Sequence, residues 1–403
     1  MKRSLDSIFR QPGFVGVLAA NFALGMAYSF VAPFMSLWGI QHIGMRGPVF
    51  GVFMTSTAVS GIVLSTLLGR WSDTHLTRRT VLLLGGTGGL LGYVGYAFVR
   101  DVVLLTLIGS LLLGVAQVNI SQLFAYMREE LSRSENARAD APLLMSVLRV
   151  SFSLAWTFGP ALGSWMMVTF DYRGIFLGAA GLFGLFLIGV LAFVPDRPHL
   201  PAARQAARPP LLRTLTRPDI LAYFSGFVLL FAAFNLNIMN LPLLVTGHLG
   251  GTPREVGIIY SIAPFFEIPL MIWSGRLAAR GHQLALLRFG VIAAAVYFVS
   301  LLFVQAPWHV YPAQILSAVA IAITTNITIT FFQDLLPGQA GLATSIYGNS
   351  FSVGGLGGYF AFGLLMDGVG QRGIFVLCAG LSLVTLAILC RRPPENAAAA
   401  AGI

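Results

Sequence analysis

Gly69-Arg70-Trp71-Ser72-Asp73-Thr74-His75-Leu76-Thr77-Arg78-Arg79, and in the second half of the chain Gly275-Arg276-Leu277-Ala278-Ala279-Arg280-Gly281, are the two stretches on which the reading of this sequence turns. Each closes one long apolar run and opens the next. Each begins with glycine, carries arginine and is too short to be more than a tight connection. Working outward, 56% of the 403 residues are hydrophobic and 10% charged, where a soluble chain carries roughly 25% charged residues. A membrane crossing takes about 20 apolar residues, so the chain has room for about a dozen crossings and no large soluble domain.

Apolar runs set against polar punctuation place spans near 12–39, 48–70, 79–99, 102–127, 141–169, 173–194, 218–246, 254–277, 284–305, 309–333, 339–366 and 371–390. The polar, proline-rich segment Pro195–Arg217 is the longest interruption. The expected organisation is a six-helix bundle over 1–194, a cytoplasmic linker over 195–217, a second six-helix bundle over 218–392 and a tail over 393–403. Arginine and lysine collect on the cytoplasmic side of membrane proteins. With both ends of the chain inside, 19 of the 25 basic residues fall on inner segments, five on outer loops and one, Arg149, within a span. An odd number of spans would scramble that bias. Met1-Lys2-Arg3 leads into the first span with no small-residue cleavage site, so that span is expected to remain in place.

The net charge of +10 would suggest a nucleic-acid partner in a soluble protein. Here the arginines are scattered over short loops and form no single face, which argues against one. His42, His75, His199, His248, His282 and His309 fall in loops or at span ends, without metal-ligand spacing. Cys378 and Cys390 lie about 18 Å apart along one helix and cannot bridge. The glycine clusters 85–89 and 354–358 follow no strand, so they read as close-packing surfaces and not as nucleotide loops. No cofactor, no metal and no enzymatic nucleophile–base pair is expected. The anticipated surroundings are lipid, and nothing calls for more than a monomer.

Gly69, Asp73, Arg78 and Arg79 resemble the signature loop of the major facilitator superfamily, Gly-x-x-x-Asp-Arg-x-Gly-Arg-Arg, which joins spans 2 and 3. The chain departs from the pattern by one extra residue before the arginine pair and by Thr74 where arginine usually stands. The resemblance implies two pseudo-symmetric six-helix bundles and an inner-gate latch made by Asp73, Arg78 and Arg79. Gly159-Pro160 in span 5 is similar to a motif of the superfamily's antiporters, and glycine beside proline permits a bend or hinge in any reading. Arg149 with Ser153-Leu154-Ala155-Trp156, Glu267-Ile268-Pro269, and Phe332-Gln333-Asp334-Leu335-Leu336-Pro337-Gly338-Gln339-Ala340-Gly341 followed by Ala343-Thr344 and Asn349 resemble the bacterial sugar efflux transporters. That likeness implies a secondary transporter of the bacterial cytoplasmic membrane which exports sugars or sugar-like solutes in exchange for protons. A multidrug antiporter of the same superfamily and a non-transporting membrane sensor are the competing readings.

A charged side chain at mid-bilayer costs roughly 2.5–3.5 kcal/mol on insertion scales. Arg149 and Glu267 are the two such residues well inside the spans. In the superfamily's arrangement spans 5 and 8 face each other, so these two are expected to approach. Glu267 is the candidate proton carrier, since burial favours its neutral form and a guanidinium its charged form. A permanent structural ion pair is the alternative. Pro264 and Pro269 are expected to loosen the helix around it. A neutral polyhydroxyl ligand suits carboxamides, which donate and accept without fixed charge. The candidates are Asn21, Tyr28 and Trp38 in span 1; Gln117, Asn119 and Gln122 in span 4; Asn235, Asn237 and Asn240 in span 7; Gln314, Asn326 and Gln333 in span 10; and Asn349 in span 11. Of these, Gln117, Gln122, Asn235, Asn326 and Asn349 are preferred. Each amide has a second reading as glue between helices, worth about 0.6 kcal/mol.

Overall fold

The computed structural model describes residues 13–133, 135–197 and 214–391, without the side chains of 73, 74, 135–140 and 142. The N-terminal basic cluster, most of the linker and the tail lie outside these residues. Among the described residues every regular element is helical. Ten helical runs are long and apolar enough to cross a membrane. Two of them, Leu143–Phe193 with 51 residues and Ala340–Leu389 with 50, are too long for one crossing: at 1.5 Å per residue each would extend about 75 Å against a core of about 30 Å. Each is broken once, at Asp171 and at Gly370. Among the described residues the count is therefore twelve.

In chain order the helices are α1 (Phe14–Val31), α2 (Gly47–Thr74), α3 (Arg78–Phe98), α4 (the run Val102–Ser132), α5 and α6 (135–170 and 172–193), α7 (Pro218–Leu243), α8 (Pro253–Ala278), α9 (Gln283–Ser300), α10 (Val310–Leu335), and α11 and α12 (340–369 and 371–389). Their starts are written locally. Thr77 caps α3 by accepting from Thr80 N at 3.2 Å, and Asp101 caps α4 by accepting from Leu104 N at 2.8 Å. Thr252 N donates to Glu255 Oε2 at 2.7 Å in a capping box before α8. Such caps satisfy backbone donors that a helix start leaves unpaired.

The prolines do less than expected. α5 stays helical through Gly159-Pro160, the non-helical residue of that run being Asp171. α8 likewise continues through Pro264 and Pro269, and α7 through Pro242 before passing into a π-helical turn over Leu244–His248. Each proline withholds one N–H, but flanking hydrogen bonds keep the backbone regular. Around Gly159-Pro160 the helix meets α1 closely. A Cβ on Gly163 would lie 2.7 Å from the Phe30 carbonyl oxygen, and one on Gly25 2.8 Å from Ala155 Cβ, so α1 and α5 pack backbone to backbone.

The chain forms two compact units, one within Met1–Met45 and Phe53–Ala203, the other within Arg46–Val52 and Arg204–Ile403. In the first, Trp38, Phe53, Tyr96 and Phe176 fill one end of the bundle, with Trp38 stacked on Tyr96 at 5.0 Å between centroids. In the second, Gly354 and Gly358 of α11 lie against the backbone of α7.

Candidate functional site

In the first unit, α2 ends at Thr74 and α3 begins at Arg78, which places the Arg78 guanidinium beneath three partners. Nη1 donates to Ser72 Oγ at 2.5 Å and to Gln122 Oε1 at 2.8 Å, and Nε lies 3.5 Å from Glu129 Oε2. Arg79 donates to the Leu191 carbonyl at the end of α6, at 3.0 Å. Arg133 and Arg197 extend the cluster through Glu129 and Glu130. The side chain of Asp73 lies outside the described residues. Gln122 is thus engaged in the α2–α3 connection.

The other amides of this unit divide by burial. Asn21 is fully buried and donates to the Leu148 carbonyl at 2.8 Å and to Ser151 Oγ at 2.7 Å, tying α1 to α5. Asn119 is buried against Gly85 of α3. Tyr28 donates to the Ala116 carbonyl at 2.8 Å. Trp38, a candidate sugar platform from sequence, is 0% exposed inside the aromatic cluster, and no ligand can reach its face there. Gln117 is exposed, at the step between the π-turn Gly109–Leu113 and the continuation of α4. Arg149 is exposed on α5, with Gly159 and Pro160 further along the same helix.

In the second unit, Glu267 sits half-buried on α8 between Pro264 and Pro269. Within that unit no described residue hydrogen-bonds or ion-pairs with its carboxylate. Arg149 belongs to the other unit. The prolines leave the Tyr260 and Phe265 carbonyls without intrahelical donors, one turn or two from the carboxylate. Asn326 of α10 donates to the Met271 carbonyl at 3.2 Å, one turn below Glu267. Asn235 returns to its own helix, donating to the Phe231 carbonyl at 2.8 Å, and Asn240 donates to the Gln371 carbonyl at 2.8 Å. Asn237, Gln314 and Tyr297 of α9 form a chain: Gln314 Nε2 donates to the Tyr297 hydroxyl at 3.1 Å, which donates to Asn237 Oδ1 at 3.3 Å. Asn349 is exposed on α11, and Gln333 is half-buried near the end of α10. Sequence reasoning missed Tyr297, because span 9 was not counted among those lining a cavity.

The internal repeat is written in contacts as well as in loops. A Cβ on Gly69 would lie 3.6 Å from Gln122 Nε2, and one on Gly275 3.5 Å from Asn326 Nδ2, so in both units an amide of the fourth helix rests on the glycine that ends the second. Arg79 caps the end of α6, and Arg288 of α9 caps the end of α12 through the Leu389 carbonyl at 3.0 and 2.9 Å. The breaks at Asp171 (φ 61, ψ −170) and Gly370 (φ 65, ψ 176) share one backbone conformation and precede the same residues, Arg-Gly-Ile-Phe at 173–176 and at 372–375.

Twelve apolar helices among the described residues, in two repeated units with amides and the carboxylate of Glu267 well inside the spans, define a multi-pass membrane protein of the secondary-transporter type. The chain belongs to the Major Facilitator Superfamily, whose family model matches residues 17–356 and again 224–402. A relative from Deinococcus radiodurans is 32% identical over 392 residues, covering 95% of this chain and 99% of that one. Sugar efflux transporter A of Dickeya chrysanthemi is 31% identical over 337 residues, 84% of each chain. The crystal structure of the nucleoside transporter NupG shares the fold, with a TM-score of 0.72 at 15% identity over 95% of this chain and all of that one.

Proposed function

We propose that this protein exports sugars or sugar-like solutes from the bacterial cytoplasm by alternating access, in exchange for protons, with both ends of the chain on the cytoplasmic side. The observation that carries the substrate class is the 31% identity over 84% of the chain to a protein named for sugar efflux. An amide-rich interior agrees with it, since a purely hydrophobic drug would not require so many carboxamides. Glu267 is the coupling carboxylate, and Arg149 is the second charged residue that serves the coupling. Half-buried between two prolines and with no partner among the described residues of its own unit, Glu267 is able to take and release a proton as water reaches it. Gln117, Asn235, Asn237 and Asn349 are the sugar-facing amides. Arg78 and Arg79, with Asp73, hold the inner connection of the first bundle.

The test is sugar transport into and out of liposomes carrying the purified protein. The reading expects sugar counterflow without a gradient and sugar accumulation driven by an imposed pH difference. In Glu267→Gln the counterflow persists and the pH-driven part is lost. PH-driven accumulation at the wild-type rate in that variant would remove the coupling role. Transport of hydrophobic cations with no response to any sugar would replace the substrate class.

A further inference from the structure

Tyr297 belongs to α9 and is 0% exposed, so it touches no solute itself. Its hydroxyl stands between two amides of different helices, Gln314 on α10 and Asn237 on α7, at 3.1 and 3.3 Å. A phenol has one proton to give. Gln314 gives its N–H to the hydroxyl oxygen and the hydroxyl proton is directed to Asn237 Oδ1, with the Ser317 side chain as a third hydrogen-bond neighbour of the hydroxyl. The backbone at Asn237 is steadied as well, since the Tyr260 hydroxyl shares its one proton between the Asn237 and Ile238 carbonyls at 3.3 and 3.1 Å. Asn237 is 7% exposed, and its Nδ2 has no partner among the described residues and is not fully buried.

We infer that Tyr297 is a positioning residue for the sugar site: through the chain Gln314–Tyr297–Asn237 it orients the Asn237 carboxamide so that its N–H donors, and not its oxygen, face the solute. The inference rests on the transport reading above and adds the polarity of one contact. The sugar oxygen that meets Asn237 accepts a hydrogen bond there. A fluorine in place of that hydroxyl, which accepts weakly and cannot donate, is tolerated. Without the Tyr297 hydroxyl the carboxamide is free to turn about its last bond and present its oxygen, which repels fluorine.

The experiment compares wild type, Tyr297→Phe and Gln314→Met in liposome counterflow with glucose, mannose, lactose and sucrose, and with monofluorinated forms of whichever is carried. Sugar-free thermal unfolding of each variant is recorded in parallel. Loss of one oriented hydrogen bond should raise the half-saturating sugar concentration of Tyr297→Phe about fivefold while the maximal rate is retained. The fluorinated sugar accepted by wild type should be discriminated against by both variants. A structural role alone would lower the unfolding temperature and leave the preference between parent and fluorinated sugar where it was; that result overturns the inference. Should Tyr297→Phe not fold, Gln314→Met carries the same preference test, and an unshifted preference there is equally decisive. If wild type carries none of the sugars, the transport reading falls and this inference with it. Wild-type transport with unchanged variants removes the inference alone.

Discussion

Gly368 and Gly370 sit two residues apart at the break between α11 and α12, and a Cβ on either meets nothing within 4 Å. Packing therefore cannot distinguish them. Gly368 is helical, whereas Gly370 has φ 65° and ψ 176°, a region that side chains enter at a cost of about 1–3 kcal/mol. In Gly368→Ala the substitution removes unfolded-chain freedom at a compatible site and is worth up to about 1 kcal/mol of added stability. Gly370→Ala loses the strain energy instead. The two variants should differ by about 1–4 kcal/mol, which for a unit of this size separates their unfolding temperatures by roughly 2–15 °C. Thermal unfolding of the purified variants in one detergent, followed by intrinsic fluorescence, measures the separation. Gly370→Ala as stable as Gly368→Ala would show that the break is not held in this conformation and would refute the argument for two helices at that point.

Three other outcomes follow from the same geometry. Gly163→Ala drives a methyl into the Phe30 carbonyl, where backbone must move to make room; it should cost about 1–3 kcal/mol as over-packing does, read as a lowered unfolding temperature beside a neutral Gly181→Ala, whose Cβ meets nothing within 4 Å. Arg78→Ala deprives Ser72, Gln122 and Glu129 of a shared donor and should cost about 1–3 kcal/mol, with Arg78→Lys recovering part of it because a single ammonium cannot span all three; equal unfolding temperatures for the two variants would contradict the network. His42, beyond the end of α1 with its ring 4.5 Å from that of Tyr172, is held below the ordinary imidazole range, first by desolvation, with Arg100 and Arg173 adding to it and Asp171 opposing. The unfolded chain then takes up the proton first, so this residue's contribution is complete above the ordinary pKa of about 6.5 and is lost as the pH falls through it; between pH 7 and 5 the unfolding temperature should fall less steeply in His42→Gln than in wild type.

The spans were legible because hydropathy alone decides which segments leave water. The site was less legible because these helices are apolar on nearly every face. With no polar side to mark the solvent, the period of the sequence does not tell which way an amide points. Asn21 and Gln117 look alike in sequence, yet one is sealed between α1 and α5 and the other is exposed. Trp38 has the residue type of a sugar platform, but its neighbours in the aromatic cluster come from Phe53, Tyr96 and Phe176, far along the chain. A better signal for the duplication was present: Arg-Gly-Ile-Phe stands after both breaks, and its isoleucine and phenylalanine, Ile175, Phe176, Ile374 and Phe375, are all buried.

The repeat also shows where to look for what is not folding. With Gly69 matched to Gly275 and Gln122 to Asn326, the position of Glu267, eight residues before Gly275, corresponds to Gly61, eight before Gly69. In the first unit that position holds no side chain, and Gln117 of α4 fills the space, its Cγ 3.0 Å from where a Cβ would stand. In the second unit the residue matched to Gln117 is Ile321, and the helix position carries a carboxylate flanked by Pro264 and Pro269, where α2 has Ala58 and Val63. Caps, loop glycines and helix breaks are repeated because both bundles solve one packing problem. A carboxylate inside an apolar helix does nothing for that problem and costs energy, so its presence on one side only is a departure that folding does not explain. That asymmetry, an amide beside α2 in one unit and an acid on α8 in the other, is the physical observation behind the proposal of Glu267 as the proton carrier.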